Sequence, residues 1–198
     1  GLFTSPDSGC ERCFWLKQYK IWSRPSGGFP QITNGMDGVL KKHFDKYRKQ
    51  KKLPPELAND SRFNNMELFA DVSLLEKYQD WRNKKGLYFT NKDKNFTLRG
   101  AIDELLTKDG KVVVFDFKTK GYKPDKDKLE KDRERYTLQM NFYNFLLKKK
   151  GHETYEQAYL AYYWPEAVTD DGTVKFGTLI DEINVDTYLC ERTLERAV

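Results

Sequence analysis

The stretch "KVVVFDFKTK", residues 111 to 120, constrains the fold most, because it is apolar on both sides and then turns charged. Successive side chains of a strand point to opposite faces. Val112, Val114, Asp116 and Lys118 therefore share one face, and Val113, Phe115 and Phe117 share the other. A strand whose two faces both begin apolar is a central strand, covered on both sides. Asp116 and Lys118 then lie near the strand end, on a face whose preceding residues are buried. A charge there needs a partner or a metal ion, since burying it alone is expensive. A partly solvated Asp–Lys pair at a strand end meets that need. So does a site that gathers further acids.

The surrounding pattern supplies the partners of this strand. "GLYFT" and "NFTLRGAIDELL" flank the polar turn "NKDKN" and read as a hairpin, and "TKDG" turns the chain into the central strand. A long helix over residues 127–150, stopped by Gly151, follows a charged loop. "YEQAYLAYYW" and "TVKFGTLIDEINV" read as two more strands, joined through "TDDGT", and "DTYLCERTLERAV" as a closing helix. Upstream, Pro, Gly and Ser mark residues 23–35 as a loop. Met36, Val39, Leu40, His43, Phe44 and Tyr47 then recur at helical spacing, and "SLLEKYQDWRN" reads as another short helix. The expectation is an α/β or α+β domain with a mixed five-stranded sheet flanked by helices.

Length and composition bound what such a domain can be. At 198 residues the chain suits one domain. It divides into a mainly helical part (1–85), a sheet and long-helix core (86–185) and a C-terminal helix (186–198). Twelve Tyr, 13 Phe and four Trp exclude a disordered chain despite 33% charged residues. No segment approaches the ~20 apolar residues of a membrane span, and "GLFTSPDSG" lacks the form of a signal peptide. A soluble cytoplasmic protein without membrane contact is expected. The net charge is +5 with a pI near 8.9, compatible with nucleic acid but weak evidence alone. Lysines cluster in 41–52, 118–128 and 146–151.

"GAIDEL" supplies further acids 13 and 12 residues before Asp116, across the "TKDG" turn. Alternation groups Asp103 with Ala101, Arg99 and Thr97, and Glu104 with Ile102, Gly100 and Leu98. It does not decide which acid points at Asp116. Two carboxylates, with the Phe117 backbone carbonyl between Asp116 and Lys118, suit Mg²⁺ or Mn²⁺. A lysine beside them can neutralise a phosphate oxygen or orient an attacking water. That is the chemistry of phosphodiester hydrolysis.

"GAIDEL" followed by "VVVFDFKTK" resembles the D…(D/E)-x-K core of the PD-(D/E)XK nuclease superfamily, in D…D-F-K form. "YTLQMNFYNF" is similar to the Y-x-x-Q-x-x-x-Y helix of its RecB-like branch, through Tyr136, Gln139 and Tyr143. "GVLKKHF" is similar to that branch's upstream histidine element, through His43. These elements stand in the expected order over residues 35 to 165.

The resemblance implies a restriction-endonuclease-like core and a DNA nuclease dependent on Mg²⁺ or Mn²⁺. Asp103 and Asp116 would be its metal carboxylates, with His43 and the Phe117 carbonyl as further ligands. Lys118 would be catalytic, and Gln139 and Tyr143 would support the site and contact the DNA backbone. Lys41, Lys42, Lys120, Tyr122 and Tyr136 are the expected nucleic-acid contacts, with Trp164 as a further stacking ring. An exonuclease on single-stranded ends is the preferred form, with DNA as single strands or duplex ends the expected partner and protein partners in a repair or CRISPR complex left open. A catalytically inactive nucleic-acid-binding module is the alternative, and a hydrolase of small phosphoesters a third reading.

Some RecB-like nucleases carry a four-cysteine iron–sulfur cluster. Cys10, Cys13 and Cys190 are only three thiols, and a [4Fe–4S] site takes four. No cluster is expected, and "CERCFWLKQY" reads as a helix that packs Cys13 and Phe14.

Overall fold

The computed structural model describes residues 10–23, 25, 31–80 and 86–197. α1 (Glu11–Gln18) is followed by α2 (Gln31–Lys49), α3 (Pro55–Ala58) and a 3-10 turn (Ser61–Phe63). β1 (Met66–Leu68), α4 (Val72–Gln79), β2 (Leu87–Asn91), β3 (Phe96–Gly100), β4 (Glu104–Lys108) and β5 (Lys111–Thr119) come next. α5 (Lys126–Lys149), β6 (Gln157–Val168), β7 (Val174–Asn184) and α6 (Thr187–Ala197) complete the chain.

Five strands form one mixed sheet in the order β1-β4-β5-β6-β7. β5 is its central strand. It runs antiparallel to β4 and parallel to β6, with α5 as the crossover between the parallel pair. Alternation along β5 divides the core in two. Val112 and Val114 pack with Met140, Leu146 and Leu147 of α5. Val113, Phe115 and Phe117 pack with Leu40 and Phe44 of α2. The two-sided burial expected of 111–119 is therefore realised, with one helix layer on each face.

Turn chemistry sets the boundaries. Asp125 caps α5 by accepting the Lys128 N–H at 2.7 Å, and Gly151 ends the helix region at φ +91. Asp109 and Gly110 supply the two positive φ values of the β4–β5 turn, at 51 and 77.

Three expectations are corrected. Helix α2 begins at Gln31, so residues 31–35 are helical rather than loop. The run "NFTLRGAIDELL" is not one strand. It breaks after Gly100, and β3 pairs with β2 in a separate two-stranded sheet, while β4 joins the main one. The break falls where the chain packs closely on α5: a Cβ at Gly100 would stand 3.0 to 3.1 Å from Leu146 and Tyr143. Finally, the 1–85 part contributes a strand, β1, paired antiparallel with β4 at the sheet edge. The expected continuation of the α4 helix across residues 81–85 lies outside the described residues.

Candidate active site

Asp103 directly precedes β4, and the β4–β5 register sets Glu104 opposite Phe115. One step beyond that pairing, Asp103 comes near enough to Asp116 for the two charges to act on each other. The Phe117 N–H donates to Asp103 Oδ2 at 3.0 Å, and Gln79 donates to the Asp103 carbonyl at 2.7 Å. Both backbone and side chain of Asp103 are thus held in place.

The pleat sends Asp103 and Glu104 to different surroundings. Glu104 falls on the α2 face, buried, and ion-pairs there with Arg48, which also donates to the Phe69 carbonyl at 2.9 Å. Burial pushes the Glu104 carboxyl up, and the Arg48 guanidinium opposes that rise. Arg48, drawn from a lysine-rich run, had no sequence signal for burial.

Asp116 is 1% exposed, on the α5 face with Val112 and Val114. Its Oδ2 ion-pairs with the Lys118 ammonium and accepts no hydrogen bond of regular geometry. Burial acts to lower the Lys118 pKa, but the Asp116 carboxylate outweighs it, and the ammonium is held above its ordinary value. Asp103 goes the other way. Burial first, then the neighbouring Asp116 charge, raises its carboxyl well above the usual aspartate range.

Helix α5 lays a polar chain over this pair. Lys118 Nζ donates to Gln139 Oε1 at 3.3 Å, and Gln139 Nε2 donates to the Tyr143 hydroxyl at 2.7 Å. The Lys118 ammonium also lies 4.2 Å from the Tyr136 ring centroid. Burial, followed by the Asp116 and Asp103 charges, raises the Tyr143 phenol well above its usual range. Spacing of three and four residues along α5 puts Tyr136, Gln139 and Tyr143 on one face, as expected.

Several expected contacts differ. His43 Nε2 lies 3.1 Å from Glu56 Oε1, and the Tyr163 hydroxyl donates to the same oxygen at 3.1 Å. This trio lines a cleft of about 300 Å³ with Met36, Leu40 and Phe176. Among the described residues no group of three His, Cys, Asp or Glu side chains is arranged to hold a metal. His43 is therefore not gathered with the two aspartates. Its partner Glu56 lies in α3, past the end of α2, where the helical periodicity of α2 could not find it.

Lys120 is not an unpaired surface lysine: it ion-pairs with the buried Asp132 of α5. Trp164 is 5% exposed and packs against Gly177 across β6–β7, so it offers no open stacking face. Tyr122 is exposed, and Lys42 lines a surface hollow with Asp45, Lys46 and Lys49. Lys41 instead reaches the site, 2.9 Å from Asp37 and 3.9 Å from Asp103. Asp37 was missed in the sequence, although its spacing of four from Lys41 was a readable signal.

Cys10 Sγ accepts the Cys13 N–H at 3.3 Å at the start of α1. Cys190 is fully buried in the core, and burial pushes its thiol up to about 12.

A family model of the PD-(D/E)XK nuclease superfamily matches residues 18–195, and the chain belongs to that superfamily. Comparison with curated proteins and with solved structures returned no match. The five-stranded mixed sheet with helices on both faces is the restriction-endonuclease-like fold. Membership places the chain among metal-dependent nucleases that act on nucleic acid, a class that generally uses divalent ions such as Mg²⁺. No helix among the described residues is long and apolar enough to cross a membrane.

The side chains fit such an ion. Asp103, Asp116 and the Phe117 carbonyl are hard oxygen donors, the type Mg²⁺ and Mn²⁺ prefer. Asp116 Oδ2 is already paired with the Lys118 ammonium, so the fit to an ion rests on the chemistry of the donor set.

Proposed function

We propose that the chain is a deoxyribonuclease that hydrolyses phosphodiester bonds from single-stranded DNA ends, using Mg²⁺ or Mn²⁺. The observation that carries the reading is the closeness of Asp103 and Asp116 at one end of the β4–β5 pair, with Lys118 ion-paired to Asp116. Asp103, Asp116 and the Phe117 carbonyl would hold the ion. When bound, it supplies an activated water and charge stabilisation at the leaving oxygen.

The chain's own groups do the rest. Lys118 stays protonated between Asp116 and Gln139, which suits it to neutralise a phosphate oxygen rather than to abstract a proton. Gln139 and Tyr143 orient that ammonium through two successive hydrogen bonds. Tyr136 covers the lysine from the α5 side and keeps bulk water from it. Tyr122, exposed on the loop after β5, offers a ring for an unpaired base. Lys42 and the basic outer face of α2 supply phosphate contacts.

A comparison of linear and circular single-stranded DNA tests the end dependence. The expected result is mononucleotide or short-oligomer release from labelled linear strands, with circles left intact and EDTA stopping the reaction. Equal cutting of circles would replace the exonuclease reading with an endonuclease one.

A further inference from the structure

Lys41 brings a third charge to the carboxylates from the opposite helix layer. α2 is fixed against β5 by the buried Leu40 and Phe44, with the Phe44 ring 4.9 Å from Phe117 and 5.5 Å from Phe115. The residue after Leu40 therefore has a defined direction. Its ammonium lies 2.9 Å from Asp37 Oδ2 and 3.9 Å from Asp103 Oδ1, with the lysine side chain three-quarters covered. The Asp37–Lys41 pair alone is the ordinary i, i+4 pairing of a helix. Its extension to Asp103 is not, because it joins a helix pair to the carboxylate that faces Asp116. Asp37 is also near enough to Asp103 to count among the charges that raise that carboxyl.

We infer that the Lys41 ammonium occupies a cation site built by Asp37 and Asp103, so that the chain holds one divalent ion rather than two. The inference rests on the reading that Asp103 and Asp116 hold the first ion. Two-ion phosphodiester sites set their ions about 3.5–4 Å apart, and a carboxylate between them can bridge both. Asp103 is the carboxylate in that position, with Asp116 on one side and Asp37 on the other. A tethered ammonium fills the second position permanently and repels a competing ion. It also leaves a fixed positive charge beside the site at any metal concentration.

The test counts Mn²⁺ bound to the full 198-residue chain without nucleic acid, reading free Mn²⁺ by electron paramagnetic resonance. Wild type is expected to bind one ion, and Lys41→Gln and Lys41→Ala two, because Asp37 and Asp103 are released together. The double variant Asp37→Asn, Lys41→Gln should return to one, and Lys41→Arg should remain at one. Circular dichroism confirms that each variant is folded. Two ions on wild type, or one on both Lys41→Gln and Lys41→Ala, overturns the inference while leaving the metal site standing. No Mn²⁺ on wild type, or binding untouched by Asp116→Asn, overturns the metal site itself and the inference with it.

Discussion

Asp103 and Asp116 come together at the end of the antiparallel β4–β5 pair, just beyond the Glu104–Phe115 pairing. Two carboxylates in that relation repel each other, and one is fully enclosed while the other has lost most of its water. The chain tolerates this by setting Lys118 against Asp116 and a backbone N–H against Asp103. The arrangement costs stability in the metal-free protein, and that cost is measurable.

Asp103→Asn should stabilise the metal-free chain. The folded pKa of Asp103 lies well above the ordinary aspartate value, through burial and then Asp116. A carboxyl with a raised folded pKa destabilises nothing below its unfolded pKa. Its cost grows as pH rises from there to the folded pKa, and is complete above it. In EDTA at neutral pH, thermal unfolding of Asp103→Asn should occur about 2–4 °C higher, on the order of 1 kcal/mol. The difference should vanish as pH falls towards 4, and equal melting at neutral pH would count against the repulsion.

Glu104 should prove structural. Glu104→Ala removes the buried partner of the Arg48 guanidinium and leaves it the half-exposed Asp45 and the Phe69 carbonyl, a change that costs about 2–3 kcal/mol. Glu104→Gln keeps an acceptor for Arg48 and should fold with a smaller loss. Chemical denaturation gives the stabilities. Cleavage by Glu104→Gln should stay within a few-fold of wild type, and its abolition would reopen the choice between the two adjacent acids.

Gly177 should be intolerant of a side chain. A Cβ there would stand 2.3 Å from Cε2 of Trp164, which is buried in the strand opposite. Gly177→Ala must push the indole aside, and overpacking of this kind costs about 1–3 kcal/mol. Trp164→Leu should remove most of the penalty of the alanine, which a double-mutant cycle measures as coupling. Additive effects would mean that the ring has room to move.

The Gln139–Tyr143 link should matter to rate more than to folding. Tyr143→Phe deletes the hydroxyl that accepts from Gln139 Nε2 and frees the amide that orients Lys118. Cleavage should fall about 10-fold, within the range of a lost positioning hydrogen bond. The melting temperature should change little. A rate equal to wild type would separate Gln139 from the lysine's function.

What was legible in the sequence was local. Period-two alternation put Asp116 and Lys118 on one face, and spacing along α5 put Gln139 beside Tyr143. The order of helices and strands followed from turn residues such as Gly110 and Gly151. What was not legible depended on contacts far apart in the chain. Asp103 and Glu104 could be told apart only once Arg48 was known to approach from α2. The single strand read through residues 95–106 breaks after Gly100, which packs against Tyr143 and Leu146, 43 and 46 positions away. His43 follows the apolar stripe of α2, yet its orientation is decided by Glu56 and by Tyr163 on another strand. Lys120 looked like a phosphate contact because nothing nearby announced that Asp132 would be buried against it.

The central claim is that Asp116 and Lys118 belong to a metal-dependent hydrolytic site. Its most direct measurement is cleavage of end-labelled single-stranded DNA in Mg²⁺ or Mn²⁺ by Asp116→Asn and Lys118→Met, each shown folded by circular dichroism. The account predicts that both lose more than about 100-fold in rate, as expected when a group acting on the transition state is removed, while wild type cuts and EDTA silences it. Wild-type rates in both variants would contradict it.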